Sequence, residues 1–492
     1  MKVAWIQAIK CLAVAVAVAS PAARVSAQVA APPDPTAAIA NNPDVQGSIR
    51  LFSAWAEGQL RHRGLPGMAV GVVWDQQLVW AQGFGWADIA KQTPMTPQTR
   101  FRIASHSKLF TATAIMQLRE GGRLRLDDPV TQYLPWFKTQ PAGPDDTIIT
   151  IEDLLTHSSG LPREMGDHWT SYRFPTADEI KAQVHTRQAA YAPETRWKYS
   201  NLAYTLAGMV VERVTGQSWG AYVQQRVFDP LAMKQSSVDR PDPQLATGYG
   251  RRMPDGSRSV MPFIDSKGMA AATGLSSSVE DLARFVSAQF RDKPAGAPAV
   301  LSDASLREMQ RARFMEDDWG SGNGIGFIVS RNRGEVVIGH SGGYPGYITH
   351  TLISPSERIG VIVLTNSQDG DATAMATQLI NSVGVAVSKA AGSKRKPLQW
   401  DPAWSRFTGL YRGRSSDTHV VELNQKLVLI NPDRPTIDTR IELEPLGNDR
   451  FLYKAPTGGG PIGEVVRFVE TGGRVLQMVI GDNAIERVRM QP

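Results

Sequence analysis

A serine and a lysine stand three residues apart at Ser105-His106-Ser107-Lys108, inside the stretch FRIASHSKLF. On a helix that spacing puts both side chains on one face. A serine hydroxyl is a weak nucleophile until a neighbour takes its proton. A lysine can take it only if burial or nearby cations pull its pKa down. The pair therefore reads as nucleophile and base if Lys108 is buried, and as a helix cap with a solvated lysine if it is not. Spacing alone does not choose, because Ser393-Lys394-Arg395-Lys396 matches too. That copy lies in a charged stretch with no apolar helix to align it. Ser105 instead precedes LFTATAIMQLREGG, where Leu109, Ala112, Ile115, Met116 and Leu118 recur at helical spacing and Gly121-Gly122 closes the run. A helix N-terminus at Ser105 supplies positive potential and free N–H groups, suited to a developing oxyanion.

Two further motifs add chemistry. Tyr199-Ser200-Asn201 is the only Tyr-x-Asn in the chain, and His340-Ser341-Gly342 is the only basic residue followed by Ser/Thr-Gly. In the order Ser-x-x-Lys, Tyr-x-Asn, Lys/His-Ser/Thr-Gly, the chain resembles the penicillin-recognising serine hydrolases. The middle motif looks like that of class C β-lactamases, the D-alanyl-D-alanine carboxypeptidases similar to them, and related esterases and D-aminopeptidases. LLTHSSGLP, GLSSSVEDLARF, GRLRLDDPV and HSGGYPGYITHTLISPSERIGVIVLTN carry the resemblance across residues 47–390. It implies Ser105 as the acylated nucleophile and Lys108 as its proton partner. It implies Tyr199 as a general base with a pKa lowered by the lysine, which later relays the proton to the leaving group. Asn201 would bind a substrate amide. The strand after His340, with Ser341 and Gly342, would run antiparallel to substrate, and the N–H groups of Ser105 and Gly343 would form the oxyanion hole. The resemblance implies no metal or organic cofactor. It implies a small-molecule or peptide substrate, cell-wall peptides among the candidates.

The chain departs from that pattern in two places. His340 stands where β-lactamases mostly have lysine, and a neutral imidazole binds a carboxylate less well than an ammonium does. Pro193-Glu194 replaces the usual Pro-Gly before the tyrosine. Other residues read as structural. His157 ends a helix, where it can meet the last carbonyls. Asp127-Asp128 reads as turn chemistry. Asp369 and Asp371 read as caps of the next helix, or, more sharply, as a cleft carboxylate for a substrate amine.

The elements that must position these residues follow from periodicity. SIRLFSAWAEGQLRHRG has a helical period and stops at Gly64, and MAVGVVWDQQLVWAQGFG reads as a hairpin. Residues 123 to about 290 alternate helices and long loops, with SSSVEDLARF opened by a capping box, Ser277-x-x-Glu280. GIGFIVSR, EVVIGHSGG, YITHTLISP and RIGVIVLTNS form a meander, followed by a helix over about Ala372–Lys389. The pattern predicts an α+β fold: one antiparallel sheet built from both ends of the segment, flanked by helices, with a helical middle domain. The resemblance makes this sheet β-lactamase/transpeptidase-like. After the 391–400 linker, residues 401–492 read as strands alone, an all-β barrel or sandwich that looks like the lipocalin-like barrels some family members append.

Bulk composition sets the outer bounds. The chain has 492 residues, 42% hydrophobic and 20% charged, with a net charge of +6, so it can bury a large core and an accessory module. The positive excess is not gathered into a nucleic-acid footprint. MKVAWIQAIKCLAVAVAVASPAARVSA reads as a signal peptide over residues 1–27, cut after Ala27 and leaving no transmembrane anchor. Residues 28–46 read as a flexible segment. The only cysteine, Cys11, lies in that leader, so a cysteine nucleophile and disulfides are excluded from the mature chain. The expectation is a secreted or periplasmic serine hydrolase acting on D-amino-acid peptides or small esters. A true β-lactamase is the rival enzyme. The rival of another class is a penicillin-binding sensor, acylated without turnover.

Overall fold

A computed structural model describes residues 35–143, 148–316, 319–392, 402–414, 416–424, 426–435, 440–454 and 460–488. The leader 1–27, most of the 391–400 linker and the second Ser-x-x-Lys copy lie outside the described residues.

β1 (Gly67–Trp74) and β2 (Gln77–Asp88) form the hairpin, turning at Asp75 with a φ of 51°. β3 (Ile328–Asn332), β4 (Glu335–Tyr344), β5 (Tyr347–Ser354) and β6 (Ile359–Thr365) form the meander. β6 pairs antiparallel with β1, Val70 opposite Val363, so both ends of the segment join one nine-stranded sheet with central order β2-β1-β6-β5-β4-β3. β1 and β6 are continuous apolar runs because both sheet faces are covered. Met68, Val70, Val72, Val361 and Val363 enter one core, while Ala69, Val73, Ile362 and Leu364 enter the other.

Helices fill both sides. α1 (Pro35–Ala40) and α2 (Pro43–Arg63) begin inside the segment expected to be flexible. Asn42 Oδ1 caps α2 by accepting from Asp44 N–H, and Ile39 is buried, so this stretch has local and packing reasons to order that its Ala/Pro/Asp/Asn-rich composition hides. α3 (Ser107–Glu120), α4 (Ile151–Thr156), α5 (Asn201–Thr215), α6 (Ala270–Thr273) and α7 (Val279–Ala288) pack on the other face. The cap of α7 is Ser278, accepting from Asp281 N–H, one residue beyond the expected box; Ser277 instead pairs with Phe101 in a short strand. α8 (Ala372–Leu379) widens into a π turn at Ile380–Gly384 and continues as helix to Gly392, so the expected helix is present with a bulge in its middle.

Eight strands between Gly409 and Arg487 pair in sequence order and close where Tyr411 meets Arg487. The result is a closed barrel rather than a sandwich. Its interior is filled by side chains including Tyr411, Leu427, Leu443, Phe451 and Met478, and Phe407 stacks on Phe468 at 4.3 Å. The barrel docks on α2. Val421, Leu423, Val428 and Ile430 share a core with Phe52 and Trp55, and Trp55 Nε1 donates to Arg434 O at 2.9 Å. A Cβ on Gly58 would lie 1.9 Å from Pro432, so only glycine permits this approach. No helix among the described residues is long and apolar enough to cross a membrane.

Candidate active site

The chain enters the site through Ile103 and then Ala104, a buried non-glycine residue with a φ of 49°. That conformation is sparsely populated and stores strain next to Ser105. A tight turn, Ala104–His106, runs directly into α3. Ser107 Oγ donates to Ala104 O at 2.7 Å and accepts from Leu275 N–H at 3.0 Å, which fixes the turn. His106 bridges Ile103 O and Thr351 Oγ1, each at 3.0 Å. β4 presses on the same turn: a Cβ on Gly342 would lie 2.3 Å from Ile103 O.

Lys108 is fully buried on α3, the condition set by the sequence. Its Nζ lies 3.1 Å from Ser105 Oγ, 2.7 Å from Asn201 Oδ1 and 2.9 Å from Ala272 O. Burial pushes its pKa well below the ordinary lysine value; Glu164 opposes that shift and Arg163 adds to it. A neutral amine has two N–H donors and one lone pair. Asn201 Oδ1 and Ala272 O can only accept, so they take both donors. The lone pair then faces the Ser105 hydroxyl, as a base requires.

Tyr199 OH lies 2.8 Å from Ser105 Oγ on the other side. Burial raises its pKa above the ordinary phenol value, against the lowering effects of the Ser105 hydrogen bond and Arg163. This direction runs against the lowered pKa expected of a tyrosine base, and with its proton on, the phenol donates to Ser105 Oγ. His157 sets the Tyr199 ring in place. It ends α4 at a φ of 61°, its ring lies 4.3 Å from that of Tyr199, and its Nδ1 accepts from Ser200 N–H at 3.1 Å. It was expected to meet the last carbonyls of its helix; its ring instead anchors the loop carrying the tyrosine. Asn201 also donates from Nδ2 to Glu164 Oε1 at 2.6 Å.

Ser105, Tyr199 and Asn201 line a cleft of about 570 Å³ with Arg163, Trp169, Trp197, Lys198, Ile328, His340, Ser341 and Gly343. β3 pairs with β4 only as far as Gly339 opposite Ile328, so Ser341–Gly343 leave the β3-side edge of the strand uncovered. His340 Nδ1 lies 2.6 Å from Ser341 O, which can only accept; Nδ1 carries the hydrogen and Nε2 a lone pair. Burial, then Lys108 and His106, drive its pKa well below that of an ordinary histidine. The cations lining the cleft, among the described residues, are Arg163 and Lys198. Arg163 sits over the Tyr199 ring at 4.8 Å.

A family model described as Beta-lactamase matches residues 52–384. The chain belongs to that family. The family and its neighbours are serine hydrolases. The chain is 26% identical over 316 residues to Protein flp of Staphylococcus aureus strain MW2, a match covering 63% of this chain and 61% of that protein. It is 25% identical over 407 residues to Penicillin-binding protein 4* of Bacillus subtilis strain 168, covering 77% and 86%. Among solved structures, the octameric penicillin-binding protein homologue from Pyrococcus abyssi is similar at a TM-score of 0.61 and 26% identity, covering 88% of this chain and 98% of that one.

The geometry brings Ser105, Lys108, Tyr199, Asn201, His340, Ser341 and Gly343 to one cleft, with Gly342 packed behind them. It does not bring Asp369 or Asp371 there. Asp369 pairs with Arg258 at 2.6 Å, and Asp371 caps α8 and pairs with Arg63 at 3.2 Å. The expected cleft carboxylate is thus engaged elsewhere. Among the described residues, no barrel residue lines the cleft. Sequence reasoning missed Arg163, Glu164, His168, Trp169 and Trp197. The one available signal was position: Arg163 and Glu164 directly follow the LLTHSSGLP phrase.

Proposed function

We propose that the protein is an exported serine hydrolase that cleaves amide or ester bonds through an acyl-enzyme on Ser105. One observation carries this reading: Ser105 Oγ lies 3.1 Å from the buried amine of Lys108 and 2.8 Å from the hydroxyl of Tyr199, in an open cleft. Lys108 takes the serine proton as Oγ attacks the carbonyl carbon. The N–H groups of Ser105 and Gly343 receive the oxyanion. Tyr199 donates its proton to the departing nitrogen or oxygen and is reprotonated from the Lys108 ammonium. Water then repeats the sequence on the ester, releasing the acid and restoring Ser105.

The substrates this cleft suits best are D-amino-acid peptides or amides and small esters. His340 offers a lone pair rather than a positive charge, which weighs against substrates needing a carboxylate held there, β-lactams included. The test is a turnover panel of D-Ala-D-Ala peptides, D-amino-acid amides, nitrophenyl esters and a cephalosporin, with intact-mass detection of the acyl-enzyme. A transient adduct lost in Ser105→Ala is expected. A permanent adduct with no turnover would mean a sensor. Full activity in Ser105→Ala would overturn the assignment.

A further inference from the structure

We propose that Glu164 is a positioning residue of this site, orienting the amide of Asn201 and placing a negative charge near Lys108. The inference rests on the reading of Lys108 as the base for Ser105.

The argument begins with an ambiguity in Asn201. An amide has an acceptor end and a donor end of nearly equal size, and only the surrounding network decides which faces which neighbour. Lys108 is a donor toward Asn201. If the amide were reversed, its NH2 would meet the amine either donor against donor or by taking the lone pair that Ser105 needs, in a buried site. The carboxylate of Glu164 prevents this. It only accepts, and at 2.6 Å it holds the NH2 on the far side, so Oδ1 must face Lys108 at 2.7 Å. Glu164 is itself held: its Oε2 takes a hydrogen bond from His168 Nε2 at 2.9 Å, and His168 is buried against Phe174. The chain of contacts runs His168, Glu164, Asn201, Lys108, Ser105.

The charge argument is separate. The groups facing Lys108 are the rings of Tyr199 and Tyr204, the imidazoles of His106, His157 and His340, and the charged Arg163 and Glu164; Lys198 also lines the cleft. Burial keeps the three imidazoles neutral and raises both phenols. Glu164 is therefore the carboxylate that opposes the effect of Arg163 on the amine.

Two variants separate the roles. Glu164→Gln keeps an oxygen for Asn201 and removes the charge; His168 can meet the new NH2 by changing tautomer, since its Nδ1 is tied to no hydrogen-bond partner among the described residues. Glu164→Ala removes both. The readout is the rate at which a fluorophosphonate labels Ser105 in the full-length protein, followed by intact mass from about pH 5 to 10, with a thermal melt to confirm folding. In Glu164→Gln the ammonium loses its counter-charge, so the acid limb should move to lower pH by about half a unit or more, with a plateau near wild type. In Glu164→Ala the plateau should fall about tenfold or more, because nothing holds the amide. Limbs that superimpose on wild type in both folded variants, with plateaus within about threefold, would overturn the inference and leave Lys108 as base. No labelling of Ser105 in the wild-type protein would overturn the underlying reading instead.

Discussion

Lys108→Met removes the amine while keeping an unbranched stem of similar length. The structural cost follows from its partners. Nζ serves two acceptor-only oxygens, Asn201 Oδ1 and Ala272 O, both in a buried setting. A buried acceptor left without a donor costs about 1–3 kcal/mol, so the pair costs about 2–6 kcal/mol, reduced because the variant no longer buries an amine. The catalytic cost is separate. A positioned base contributes about 10²–10⁴ in rate, or about 2.7–5.4 kcal/mol of barrier. The sign of the pH dependence is fixed as well. Burial lowers the pKa of Lys108, and its base form exists above that folded-state value, so wild-type activity rises as pH increases through it. The methionine variant has nothing to titrate there. The assay is burst kinetics with a nitrophenyl ester from about pH 5 to 10, beside a circular dichroism melt. The expected result is a folded variant, slower by about 10²–10⁴, without the wild-type acid limb. A folded variant within about threefold of wild type, or one keeping the same limb, would refute the assignment of Lys108 as base.

Tyr199→Phe should slow amides by about 10²–10⁴ and nitrophenyl esters far less, because nitrophenolate leaves without a proton; equal losses on both would remove the donor role. His340→Lys should raise kcat/KM for carboxylate-bearing substrates relative to neutral esters, measured on matched pairs, and an unchanged ratio would contradict the neutral-imidazole reading. Burial lowers His106 to about 3 and His350 to about 4, and drives His157 and His340 down too, so the unfolded chain binds more protons than the folded one below about pH 6.5. Urea unfolding should therefore show stability present above that pH and lost as pH falls below it, and a flat profile from pH 7 to 5 would count against it. Gly58→Val drives a side chain into Pro432 and should destabilise the protein by about 1–3 kcal/mol while leaving substrate size selectivity unchanged, since the barrel docks on α2 and none of its described residues lines the cleft.

The sequence made the centre of the site legible because its parts sit at fixed offsets. Ser105 and Lys108 share a helix turn, and Tyr199 and Asn201 flank the start of α5. The sheet was legible from β-branched runs, and the meander from its short turns. What stayed hidden depends on depth and on loops without a period. Burial raises the pKa of Tyr199, and no spacing reports burial. Glu164 reaches Asn201, with His168 behind it, across loops whose turns do not repeat. His157 looked like an ordinary helix end, because its backbone does end a helix, and only the ring direction assigns it to the tyrosine loop. The barrel was visible in strand spacing, whereas its docking needs the second face of α2, where Trp55 and Gly58 read as unremarkable helix residues.

His340 and Lys108 make sense as one arrangement. The lysine loses its proton chiefly through desolvation. A second lysine at position 340 would meet the same dry surroundings and would bury another charge or another amine. An imidazole satisfies the strand end without either, because Nδ1–H closes on Ser341 O and the ring stays neutral. The consequence falls on the substrate. Nε2 presents a lone pair where an ammonium would have attracted a carboxylate, so a substrate group near it must donate a hydrogen bond or be apolar. The remaining cleft cations, Arg163 and Lys198, lie with Trp197 on the tyrosine loop and the loop after Pro162. On the proposed function, an anionic substrate group would be drawn toward those loops, where Arg163 is already paired with Glu164 at 3.2 Å, rather than toward β4. On this reading, lysine at 340 would widen the substrate range toward carboxylates by adding a charge that Lys108, as a neutral base, must then tolerate. Both effects should emerge together in the His340→Lys variant: a gain on carboxylate substrates and an acid limb displaced to lower pH.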